Sequence, residues 1–255
     1  MSIQPWPRRG KPDGRTASVI LFAFSASPLP SPLPLNRVKH GVPDGDGMKH
    51  VGVASIAREQ APEWFAGFFS EPGATMARGE LGPAVYEAAA TSTFVHRIDA
   101  EIVSPPDLGY LQAAWALARC AGDTGATAVL DAHSLRWWSR ETIRSWKLDA
   151  PFDVDREITL VLETDPASGG SQLLHTRGMA KLARPDLVIA IEDPAESGTL
   201  AKALRELARR AATGIALEPE TRTAAEGQRF ELVKYAPELP DLGIGNEALV
   251  LRKLS

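Results

Sequence analysis

The chain has a single cysteine, Cys120, among 255 residues. One thiol excludes an internal disulfide and a Cys-rich zinc site. Cys120 lies in an alanine-rich helical segment, "AWALARCAGD", where a small buried side chain is the expected role. A chain that needs no covalent staple suits the reducing cytoplasm. A basic surplus is also missing: 28 Lys and Arg stand against 32 Asp and Glu, a net charge of −4. That balance argues against a nucleic-acid binder, since neutralising phosphates takes a clear excess of cations. No apolar run approaches the roughly 20 residues of a membrane span, so no membrane association is expected. The nearest, "ASVILFAFSAS", follows the basic "MSIQPWPRRGKPDGR" and has the outline of an export signal. Its β-branched and aromatic residues, Val19, Ile20, Phe22 and Phe24, and the proline-rich stop after it read instead as a first β-strand, Ala17–Ser25. The expected compartment is the cytoplasm, with export through this segment as the alternative. Phosphate loop, G-x-G-x-x-G, G-x-S-x-G, HExxH and kinase signatures are all absent. No repeat with a period of about 20–50 residues occurs. No cofactor and no metal ion is expected.

What is present is ordinary globular material, 44% hydrophobic and 24% charged. Residues 1–16 read as a disordered tail and residues 27–47 as a long Pro- and Gly-rich loop. Strand signals then alternate with helical ones. "HVGVASI" is a strand; "APEWFAGFF" opens a short helix at Pro62; "GPAVYEAAATS" gives another behind Pro83. "FVHRIDAEIVS" alternates with period two, so it is half-solvated, in an antiparallel or edge setting. A long helix follows Asp107, then the strand "ATAVLDAH" and a helix from Ser139. "REITLVLETD" is apolar on both faces and reads as a central strand; "QLLHTRG" pairs back on it as a hairpin; "DLVIAIE" is a third strand. A helix from about Gly198 to Ala212 buries Leu200, Leu204, Leu207 and Ala211 and turns Lys202, Arg205 and Arg209 outward. Two or three short strands end the chain. This mixture predicts an α+β fold with a mixed or antiparallel sheet and packed helices, with two ferredoxin-like units as the architectural candidate. The expected organisation is one domain over 17–255, with a possible subdivision near residues 147–155, where "LDAPFDVDRE" breaks the pattern.

Three stretches can carry chemistry or contact. In "LLHTRGMAKLARPDL", Leu173–Leu187, a histidine, two arginines, a lysine and an aspartate share fifteen residues. If "PASGG" is a five-residue hairpin loop, Asp165 faces Ser171 and Val161 faces His175, so Glu163, Leu173, His175 and Arg177 share a face. A carboxylate beside an imidazole is what a general base needs. A two-residue loop shifts the register and separates them. Either way, the histidine can be bonding a carbonyl while Arg177 and Arg184 brace the turn. Gly178 is expected at positive φ, and Arg177, Lys181 and Arg184 can meet an anion or an acidic surface. In "LDAH", Asp131 and His133 project to one face of a strand end, as two metal ligands or as a strand-end cap. In "RWWSR", Arg136, Trp137 and Trp138 form either a binding hot spot or a packed corner with an arginine stacked on indole. His40, His50 and His96 are dispersed, the first two in or beside the long loop and expected in solvent.

"AWALARCAGDTGATAVLDAHSLRWWS", "DREITLVLETDP" and "LLHTRGMAKLARPDL", in that order, resemble a set of bacterial proteins of unknown-function domain type, over roughly residues 110–190. Some relatives by pattern look like accessory or immunity-type proteins of bacterial toxin systems, which implies protein binding. The abundant Ala, Arg and Pro also fit a GC-rich bacterial genome. The expected function is therefore binding of a protein partner through Arg136, Trp137, Trp138, Arg177, Lys181 and Arg184. The alternative is a hydrolase or metal-dependent enzyme using Asp131, His133, Glu163 and His175. The pattern of residues does not set the oligomeric state.

Overall fold

The computed structural model describes residues 2–8, 14–165, 171–215, 217–235 and 245–254. It is an α+β protein with two sheets. The chain divides into two compact units: Met1–Pro7, Ser18–Ile102 and Asp107–Phe152 form the first, and Arg8–Ala17, Val103–Pro106 and Asp153–Ser255 the second.

The first unit is built on β1 (Thr16–Ser25), β2 (Val51–Ala57), β3 (Phe94–Val103), β4 (Ala126–Asp131) and β5 (Arg136–Ser139), in the order β2-β3-β1-β4-β5. β2 and β3, β1 and β4, and β4 and β5 pair antiparallel. Thr93, just before β3, donates to the Ser25 carbonyl at the far end of β1, so these two also run oppositely. β3 and β4 are thus parallel to each other, joined by α5 (Gly109–Asp123), with β1 between them. This split β-α-β kernel is shared with ferredoxin-like sandwiches, here extended to five strands. β1 is buried on both faces, with Val19, Leu21 and Ala23 on one and Phe24 on the other.

Phe24 meets an aromatic cluster, with ring centroids 5.4 Å from Phe69 and 5.1 Å from Trp137. Phe65 on α2 (Pro62–Gly67), Ala77 and Leu81 on α3 (Gly73–Leu81) and Tyr86 and Ala89 on α4 (Pro83–Ala90) belong to the same core. α5 is buried nearly all round, as a helix without a polar face must be. Cys120 is fully buried within it, and that burial pushes its thiol pKa up. α6 (Arg140–Ser145) starts at Ser139, whose hydroxyl accepts from Thr142 N.

Two expectations fail in this unit. Residues 2–8 are not a free tail: Trp6 is 3% exposed. Its indole donates to Ala150 O at 2.9 Å and lies 5.4 Å from the Phe152 ring, while its backbone N–H donates to Gln112 Oε1 at 3.1 Å. Composition read locally could not show that one large ring finds a slot far along the chain. His40 is not in solvent either. It closes α1 (Arg37–His40), is buried, and has Nε2 3.3 Å from Asp123 Oδ2 and Nδ1 accepting from Asn36 N. Burial lowers its pKa against the pull of Asp123.

The second unit carries β6 (Thr159–Asp165), β7 (Ser171–Arg177), β8 (Asp186–Ile191), β9 (Arg222–Ala225), β10 (Gln228–Lys234) and β11 (Ala248–Lys253), in the order β6-β7-β8-β11-β10-β9. Only β8 and β11 pair in parallel. α7 (Val154–Glu157) leads into the sheet, and α8 (Ser197–Ala212) buries Leu200, Leu204, Leu207 and Ala211. The β6–β7 register runs from Asp165 opposite Ser171 to Thr159 opposite Arg177, with Val161 opposite His175, as a five-residue loop requires. The loop itself, 166–170, lies outside the described residues. β6 is an edge strand, not the central one its apolar run suggests: Leu162 is 51% exposed. Apolarity on both faces reflects burial only when both faces are covered.

Replacing Trp6 by alanine is expected to destabilise the folded chain by about 3–5 kcal/mol, the usual cost of deleting a buried indole. A loss under about 1 kcal/mol in urea unfolding would return residues 2–8 to the status of a tail.

Candidate functional site

The Leu173–Leu187 stretch forms a buried polar cluster in the second unit. Thr176 Oγ1 donates to Asp186 Oδ1 at 2.8 Å and accepts from Leu187 N at 2.8 Å. Asn246 Nδ2 reaches Asp186 Oδ2 at 2.9 Å and Arg184 O at 2.8 Å. Burial is the largest influence on Asp186 and raises its pKa to about 6, although donors from Asn246, Thr176 and Met179 pull the other way. Lys181 and Glu157 are both fully buried, with Nζ and Oε2 2.8 Å apart. Burial alone would raise the Glu157 pKa; Lys181 and then Arg156 outweigh it and hold the carboxyl below its ordinary range. Gly178 has φ 105°, and a Cβ there would lie 2.3 Å from Glu157 O, so only glycine lets the turn reach α7.

Several residues of the expected sites lie in or beside this cluster. Lys181 and Arg184, expected on a contact surface, are buried. The ammonium is committed to Glu157, while Arg184 Nε donates to Ala211 O and Nη1 to Ala183 O. Arg177 is half-buried, with Nη2 3.9 Å from Glu163 Oε1. Glu163 and His175 do meet, at 3.2 Å. His175 is fully buried and its Nδ1 lies 3.2 Å from Thr176 O, so both ring nitrogens face protein oxygens.

Asp131 and His133 belong to the first unit, where they close a strand end. Asp131 Oδ1 accepts from His133 N at 3.1 Å and Ser134 N at 3.3 Å, and His133 Nε2 lies 3.1 Å from Ser18 Oγ. Among the described residues, no group of three or more His, Cys, Asp or Glu is placed to hold a metal ion. Trp137 is buried in the aromatic core. Trp138 is half-buried, with the Arg136 guanidinium 4.0 Å over its ring and Trp146 edge-on at 4.9 Å. Arg136 also lies 3.6 Å from Glu80. His96 is buried on β3, with Nε2 2.8 Å from Ser25 Oγ and Nδ1 2.7 Å from Ser55 Oγ; burial depresses its pKa to about 4.

Beside the polar cluster opens a cleft of about 900 Å³. It lies where β8 and β11 begin and β10 ends. Arg15, Arg184, Pro185, Lys234, Tyr235 and Glu247 are among the residues lining it, together with Glu218, Pro219 and Asn246. Arg15 is 3.4 Å from Glu218 and 3.8 Å from Glu247. Lys234 is exposed and has no ion-pair partner among the described residues. Arg184 and Asn246, bonded into the buried cluster, give the cleft fixed polar groups that do not need to reorganise when something binds. Sequence reasoning reached Arg184 but not Asn246 or Lys234, which are brought in by strand pairings about 50–60 residues away and leave no local signal.

No helix among the described residues is long and apolar enough to cross a membrane. Compared with known family models, curated proteins and solved structures, the chain finds no match.

Two outcomes follow from the cluster. Lys181→Met should cost about 3–5 kcal/mol, because it leaves Glu157 buried with one cation fewer, and adding Glu157→Leu should recover part of that loss. Equal destabilisation by the single and double changes in denaturant titrations would contradict a paired charge. Asp186 carries its proton to a higher pH folded than unfolded. Its contribution to stability is full below about pH 4 and is lost as pH rises through 6. Asp186→Asn lacks this loss, so relative to wild type it should gain about 3 kcal/mol between pH 4 and pH 7. A pH-independent difference would mean that Asp186 ionises as it does in water.

Proposed function

We propose that the chain acts by binding a protein partner, and that the cleft of the second unit takes an extended segment of that partner. One observation supports this above the others: the cleft combines charges of both signs, Tyr235 and two prolines with buried, pre-fixed polar groups. Concave sites with a few convergent polar groups are where ligands are held. Glu218 and Glu247 already lie beside Arg15, which leaves Lys234 to meet a carboxylate on the incoming segment. The described lining holds no histidine, serine or cysteine, which favours recognition over covalent catalysis.

The test is a photo-crosslinking residue at position 235 in the native host, with position 202 on the exposed face of α8 as control. Position 235 should capture one protein that position 202 does not. Lys234→Glu should then weaken the purified pair about tenfold at an unchanged melting temperature. Equal capture at both positions, or an affinity indifferent to Lys234→Glu, would remove the cleft from the binding surface.

A further inference from the structure

β2 is an edge of the first unit's sheet, and its hydrogen-bonding parity can be worked out. Val51 pairs with Ala100 and Ala57 with Phe94, and beyond the strand Arg58 N donates to Thr93 O at 2.8 Å. Arg58, Ile56, Ala54 and Gly52 therefore bond inward to β3, because inward and outward groups alternate along an antiparallel strand. Val51, Val53, Ser55 and Ala57 turn their N–H and C=O groups outward. Two of those four donors are closed within the chain: Val51 N–H bonds Met48 O, and Ala57 N–H bonds Gln60 Oε1 at 3.1 Å. The N–H groups of Val53 and Ser55 have no protein acceptor among the described residues, and Gly52, Val53, Ala54 and Ser55 are all exposed.

This pattern is symmetric about Ala54: the open donors lie one residue to either side and the closed ones three residues to either side. We propose that the edge is completed by the same edge of a second copy of this chain, the two β2 strands running antiparallel about a two-fold axis at Ala54. In that register Val53 faces Ser55 of the second copy, and the N–H and C=O groups of Val53 and Ser55 in the two chains form four hydrogen bonds. Such a contact is isologous, so it closes at a dimer and does not propagate. The charges fit as well. "VGVASIA" has none, so self-pairing opposes no like charges. Other edges in the two sheets carry charges that discourage strand addition: Arg136 on β5, Glu163 on β6 and Arg222 on β9. The Ser55 hydroxyl is already bonded to His96, so pairing leaves no side chain of this strand unsatisfied. Four bonds over a short edge make a reversible, concentration-dependent dimer.

Sedimentation velocity of the full chain over the micromolar range should show monomer and dimer exchanging. Val53→Pro removes an outward donor without touching the β3 ladder and should raise the dimer dissociation constant about tenfold or more, with the circular dichroism unchanged. Ala54→Cys meets its own copy on the axis and should form a disulfide-linked dimer under mild oxidation. Gly52→Cys, on the same face but opposite Ile56, should not; the native Cys120 is buried and does not interfere. A wild-type chain that stays monomeric throughout, a Val53→Pro chain that dimerises as wild type does, or equal cross-linking at positions 52 and 54 would each overturn the proposal.

Discussion

The second unit depends on one interaction, the contact of Lys181 with Glu157 at 2.8 Å in a place that water does not reach. Lys181 could not be there alone, and Glu157 would be left with Arg156 only, because an unpaired buried ion costs several kcal/mol. Each therefore fixes the other's position, and with it the elements that carry them. Glu157 ends α7, so the pair joins the start of the unit to the turn between β7 and β8. Gly178 is the steric counterpart of that contact, since any side chain would strike Glu157 O. From this fixed turn Asp186 opens β8, and Asn246 reaches Asp186 from just before β11, the strand parallel to β8.

The buried titratable groups show one physical rule applied to different partners. Burial disfavours the charged form of every group, so it lowers His96 to about 4 and raises Asp186 to about 6. His96 is surrounded by serine hydroxyls, which bond a neutral ring well and supply no charge. Asp186 receives neutral donors, which soften the cost of ionisation without removing it. Glu157 alone has two cations beside it, and its shift goes the other way. The difference between these carboxyls is therefore set by who shares the cavity and not by depth, since both are almost wholly buried.

Period and loop length made much of the fold legible. The alternation of β3 survives in the structure, with His96, Ile98 and Ala100 buried and Arg97 and Glu101 exposed. The register of β6 on β7 followed from a five-residue connection, and with it the meeting of Glu163 and His175. What could not be read was the destination of single residues. A lysine or arginine in a turn is by default a surface residue, and Lys181 and Arg184 depart from that default through partners 24 and 27 positions away. Trp6 is misjudged for the same reason, its partners Gln112, Ala150 and Phe152 being more than a hundred residues distant. β6 fails differently, because an apolar run marks an interior strand only if a neighbour arrives on each side.

The two proposed contacts rest on different parts of the chain. In the cleft, side chains would do the recognising. On β2 the side chains are small and uncharged, and main-chain N–H and C=O groups would supply the bonds. Main-chain bonding has little sequence specificity of its own, so an open edge would pair with any extended segment unless its length is limited. The closure of Val51 by Met48 and of Ala57 by Gln60 imposes that limit, leaving one residue pair to match on either side of Ala54. A longer guest strand would have to displace both caps, whereas the same strand turned about Ala54 bonds only through the open residues between them.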